Sequence, residues 1–160
     1  MRKILRVRKE NRGIFLACIA AIGLTLLLLQ LWPTDTSNPP VSSTPDWDRA
    51  HTAELAVRAC YDCHSHETRW PWYTKVIPAY FLMAYDVQRG RDAFNFSRWE
   101  ETCCTQAQIE DMAVTVTKNH MPLPYYTVLH PEAMLNDVER GQLVYGLIRT
   151  MNAQIEAEAE

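Results

Sequence analysis

Hydrophobic and polar positions divide the chain into two regimes. Gly13 to Trp32, GIFLACIAAIGLTLLLLQLW, is twenty residues without a charge, and before it MRKILRVRKENR sets six basic residues against the single acid Glu10. At 1.5 Å rise per residue such a run reaches roughly 30 Å, the thickness of a bilayer's hydrocarbon core, and predicts a transmembrane helix over 13–32. The basic flank, 1–12, is expected in the cytoplasm by the positive-inside rule, so everything after Trp32 is expected on the outer face. A cleaved signal peptide fits less well. Its apolar region usually runs about 7–15 residues to a small-residue cleavage site, whereas this run exits through QLWPTDTSNPP. Lipid modification at Cys18 also fits poorly, because only two apolar residues precede its Leu-Ala-Cys.

After the anchor, PTDTSNPPVSSTP (33–45) is rich in Pro, Ser and Thr and reads as a flexible linker. From residue 46 the apolar spacing turns helical. Ala50, Ala53, Val57 and Cys60 line one face of a helix opening near Asp46 or Asp48, which carries Cys60 onto the buried side. Pro78 suits the first turn of a second helix that Gly90 would stop. Thr105 and Gln108 form a capping-box pattern before a stripe of Ile109, Met112, Ala113 and Val116. Asn136 with Glu139 opens a last helix that buries Val144, Leu147, Ile148 and Met151. No segment alternates as a strand, and no internal repeat is visible. The fold class expected is all-α: one small helical domain over 46–151, a single N-terminal transmembrane helix before it and a polar tail, 152–160, behind.

Length and charge narrow this further. A chain of 160 residues supports one domain with a sizeable core. Setting the basic flank aside leaves ten basic and eighteen acidic side chains, a net charge of −8 beyond the anchor. So acidic a module argues against a nucleic-acid partner.

The chemistry concentrates in CYDCHSHETRWPWY, Cys60 to Tyr73. Two residues between the cysteines bring both sulfurs to one edge of a helical turn, and His64 follows where its ring can take an iron beneath a porphyrin. C-x-x-C-H is the attachment signal of a c-type haem, held through Cys60 and Cys63. Such maturation takes place outside the bacterial inner membrane, where the anchor is expected to deliver the domain. Zinc would need two further ligands, and adjacent Cys103 and Cys104 lack the paired spacing. A redox dithiol would open a helix in a βαβ setting that is absent. A plain Cys60–Cys63 disulfide leaves His64 unexplained.

The iron's sixth position has several contenders in TKNHMPLPYYTVLHPEA. Met121 precedes Pro122, which biases it towards an extended backbone, and a thioether on a stiff loop raises the potential of an iron centre. Met83 and Met112 fit helix faces and read as core. His120 and His130 are the imidazole alternatives, with His51 and His66 behind them. Trp70 and Trp72 are read as haem-edge walls and so as cofactor-binding residues, against a plain packing role, with Tyr125 and Tyr126 as weaker contenders. Arg89 and Arg91 are available for a haem propionate, unless they are simply solvated.

These residues together, CYDCHSHETRWPWY, DVQRGRDAFNFSRW and MPLPYYTVLHPEAMLNDVERGQL, resemble a small bacterial haem-binding domain found in membrane-anchored or secreted proteins. The resemblance covers Trp47 to Arg149. Its C-terminal part is similar to the Met-Pro loop and final helix of class I cytochromes c, where the last helix crosses the first beside the haem. The resemblance implies a cytochrome c-like domain in which Cys60 and Cys63 bind haem, His64 is the proximal ligand and Met121 the distal one. Cys103-Cys104 lies outside that pattern. Adjacent Cα atoms are about 3.8 Å apart, short of the usual ~4.4–6.8 Å of a relaxed disulfide, so a bond between them would be strained and they are expected as buried thiols or a partner contact.

The function expected is that of a membrane-anchored cytochrome with one covalently attached haem c. It would carry single electrons between redox protein partners on the periplasmic face of the inner membrane, touching the bilayer through 13–32 and having no catalytic residues of its own. The alternatives are a haem-based sensor or ligand-binding module with a displaceable distal ligand, and an assembly subunit that holds haem for folding.

Overall fold

The computed structural model describes residues 2–159, and among them the regular structure is helical, with one isolated bridge between Ser43 and Arg98 and no strand. The all-α expectation therefore stands. The chain forms two compact units. The first holds residues up to Thr36 together with Pro71–Met83, and the second holds Ser37–Trp70 and Ala84–Glu160.

In the first unit, α1 (Arg2–Leu29) contains an 18-residue stretch, Arg12–Leu29, with mean hydropathy 2.3 and none of it buried. By length and composition it could cross a membrane. The helix ends at Leu29 rather than Trp32. Just beyond it, Gln30 exchanges two hydrogen bonds with the main chain of Ile77, donating from Nε2 at 3.1 Å and accepting at Oε1 at 3.0 Å. Trp32 meets Phe81 edge to face at 6.2 Å. A short 3-10 turn, Trp72–Lys75, lies in this unit, as does the start of α4 (Ala79–Ala93).

In the second unit, α2 (Ala50–Ala59) and the four-residue turn α3 (Tyr61–His64) lead into the rest of α4, then α5 (Trp99–Thr102), α6 (Gln106–Thr117), α7 (Pro124–Leu129) and α8 (Asp137–Glu158). Both predicted capping boxes are present, Thr105 with Gln108 and Asn136 with Glu139. Helix α8 packs on α2 and on α6. Where it crosses α2, a Cβ at Gly146 would fall on the Thr52 side chain, so only glycine lets the two helices approach this closely. The core beside that crossing gathers Leu55, Phe96, Trp99, Leu143, Leu147 and Met151, with Phe96 stacked between Tyr61 at 5.0 Å and Trp99 at 5.8 Å.

Five local expectations change. The buried stripe of α2 is Thr52, Leu55 and Ala56, whereas Val57 is 44% exposed. Thr52 is accepted in the core because its hydroxyl donates to Asp48 at 2.6 Å. Helix α4 continues through Gly90 to Ala93. Helix α8 runs to Glu158, so the residues expected as a tail from 152 are helical, as their Ala, Gln and Glu content favours. The linker is tied down from Asn38 onwards: Asn38 Nδ2 donates to Thr68 O at 2.9 Å, Ser42 N to Ser97 O at 2.9 Å, and Pro40 O meets His66 Nδ1 at 2.7 Å. Cys103 and Cys104, expected as separate thiols, are bonded to each other across a cis peptide.

Candidate functional site

A cavity of about 440 Å³ opens in the second unit, and the residues of C-x-x-C-H form one wall of it. Helix α2 ends at Cys60, whose N–H donates to Ala56 O at 2.8 Å, and the chain turns at once into α3. Cys63 N and His64 N both donate back to Cys60 O, at 3.1 and 2.9 Å. This single turn presents Cys60, Cys63 and His64 to the cavity. Gly90 of α4 backs it: a Cβ there would sit 2.8 Å from the Cys63 carbonyl carbon, so the glycine read as a helix stop is instead a close-packing position.

His64 is held from behind. Its Nδ1 lies 3.2 Å from Phe94 O, its ring stacks on Phe94 at 4.7 Å, and its own carbonyl accepts from Phe96 N at 2.8 Å. With Nδ1–H donating to a carbonyl, Nε2 carries the lone pair that an iron would take. Burial holds the imidazole's pKa below its ordinary value, which keeps it in the neutral, ligating form. Burial also lifts both thiols to about 12. A zinc site or a redox dithiol needs the opposite shift. Cys60 and Cys63 are both free, and among the described residues no three of His, Cys, Asp and Glu gather as a metal cluster.

The other walls come from α4 and from the loop between α6 and α8. Met121, Pro122 and Leu123 line the cavity ahead of α7, and Tyr125 and Tyr126 line it from α7 itself. The two tyrosines reach across to one carboxylate on α4 and one within the C-x-x-C-H turn itself. Tyr125 Oη donates to Asp86 Oδ2 at 2.7 Å, and Tyr126 Oη to Asp62 Oδ2 at 2.7 Å, where Arg69 also pairs at 3.0 Å. Burial, with the bond to Asp86, pushes the Tyr125 phenol well above its usual pKa, so it remains a donor.

Met121 thus shares the cavity with Cys60, Cys63 and His64. His120 is exposed, and His130 stacks on Tyr126 at 4.1 Å with Nδ1 3.1 Å from Glu132; neither lines the cavity. His51 meets Gln142 at the surface. Met83 and Met112 are buried. Trp70 is half-buried and not among the lining residues, while Trp72 lies in the first unit and is 78% exposed. Arg91 is spent on structure, donating to Ser65 O, Asn38 Oδ1 and Thr68 Oγ1. Arg89 lines the cavity. So does Arg58, which sequence reasoning passed over, its Nη2 2.7 Å from Glu139 Oε1.

The donor set suits the haem that the motif implies: two unbonded thiols, an imidazole oriented through its far nitrogen, a thioether, and two arginines for carboxylate groups, in a cavity of ordinary cofactor size. The family model described as a haem-binding domain matches residues 24–148. No curated protein and no solved structure matches the chain.

Proposed function

The chain belongs to the haem-binding domain family, and from that premise we propose that it is a membrane-anchored monohaem c-type cytochrome carrying single electrons between protein partners on the periplasmic face of the inner membrane. The observation that carries this reading is the meeting of Cys60, Cys63, His64 and Met121 in one cavity. Haem, when bound, supplies a one-electron iron couple.

Each residue has a task in that reading. Cys60 and Cys63 would hold the macrocycle as thioethers. His64 offers Nε2 while the Phe94 carbonyl fixes its tautomer and ring plane. Met121 offers a soft sulfur, which favours the reduced metal and raises the potential. Arg58 and Arg89 stand at the cavity for charge-assisted bonds to propionates. Orientation across the membrane rests on the basic residues before the apolar stretch.

The test is the oxidised and reduced absorption spectrum of detergent-solubilised protein from a host competent in haem attachment, with peroxidase staining of a denaturing gel. Retention of haem on the gel and a near-infrared thioether-to-iron band are expected. Loss of haem on denaturation would refute covalent attachment. A band-free spectrum with rapid carbon monoxide binding would favour the ligand-binding alternative.

A further inference from the structure

Arg140 lies in the first turn of α8, where the helix dipole disfavours a cation, and it is only 9% exposed. Its guanidinium makes three hydrogen bonds among the described residues, all to main-chain carbonyls. Nη1 donates to Val116 O at 3.0 Å and to Met121 O at 3.3 Å, and Nη2 donates to Leu135 O at 2.9 Å. Val116 lies in the last turn of α6, and its carbonyl accepts from Asn119 N at 3.1 Å as well as from the guanidinium, which adds a side-chain tie to that helix end. Through the same nitrogen it grips Met121, which lines the cavity and packs against the hydrophobic core. Met121 N–H is held separately, donating to Thr115 O at 3.3 Å, so both polar main-chain groups of Met121 are tied.

We propose that Arg140 is a positioning residue for the distal ligand: by bridging the end of α6, Met121 and the approach to α8, it holds the Met121 sulfur where it binds iron. This rests on Met121 being the distal ligand. Arg140 does not line the cavity and touches no cofactor atom in this role. Lysine cannot substitute, since a compact ammonium lacks the planar fork that serves three acceptors from one rigid group.

The test uses the full-length haem-loaded protein in detergent and compares wild type with Arg140→Gln, Arg140→Lys and Leu143→Ala. The last removes a fully buried core side chain one turn along α8 and serves as the stability control. Carbon monoxide binding by the reduced protein and the intensity of the thioether band against pH are read beside thermal stability. Losing a charged hydrogen bond should shift the ligated-to-open ratio by about tenfold or more in both Arg140 variants. Leu143→Ala should lower the melting temperature and leave carbon monoxide binding as in wild type. Where the glutamine variant does not fold, the lysine variant carries the comparison. If the Arg140 variants match Leu143→Ala in all three readouts, Arg140 is a helix cap and nothing more. If wild type itself shows no thioether band, the Met121 reading fails and takes this proposal with it.

Discussion

The two sides of the cavity are built by opposite means. The Cys60–His64 side is one contiguous turn, backed by the Phe94 carbonyl, the Phe94 ring and the close approach of Gly90. The Met121 side is a loop fixed by distant groups: Thr115 on its N–H, Arg140 on its carbonyl, and two tyrosines of α7 reaching across to Asp86 and Asp62. The first side carries its chemistry in five consecutive residues. The second acquires it only when three helices are in place, so it should be the side that yields first under perturbation.

Substitutions can sharpen or break that contrast. Replacing Cys60 and Cys63 together with Ala should abolish covalent haem, read as loss of peroxidase staining on a denaturing gel. Met121→Ala should leave the haem attached but erase the thioether band, lower the reduction potential and open the iron to carbon monoxide. Should it instead release the haem, the two sides are not separable. Gly90→Ala forces a Cβ towards the Cys63 carbonyl and should cost about 1–3 kcal/mol in denaturant unfolding, while the thioether band persists. Tyr126→Phe leaves the buried Asp62 carboxylate without one of its donors and should cost about 1–2 kcal/mol. Tyr125→Phe, at a half-exposed site, should cost less than about 1 kcal/mol.

The same contrast explains what could be read from the sequence. C-x-x-C-H is legible because the turn that gathers it is local. The capping boxes at Thr105 and Asn136 are legible for the same reason, since each is complete within four residues. Met121 is visible through the prolines that follow it. Arg58, Asp86 and the tyrosine bridges are not visible, because each takes its meaning from a partner far along the chain. Gly90 misleads because a glycine at a helix end and a glycine under a packed carbonyl look alike in sequence. The segment from Asn38 to Pro45 has the composition of a free tether, and only its hydrogen bonds to Thr68, His66 and Ser97 say otherwise. The face of α2 is misassigned because Thr52 counts as polar until Asp48 is known to satisfy its hydroxyl.

The crossing of Thr52 with Gly146 also sets a schedule. It joins positions near the two ends of the folded domain, so α2 waits for α8 until most of the chain has been delivered. Cys60 and Cys63 follow at the end of that waiting helix, and once it docks they are half-buried on the cavity wall, with thiols strongly disposed to stay protonated. Any machinery that modifies them meets a more readily ionised pair of thiols while the chain is still emerging than after the last helix has docked.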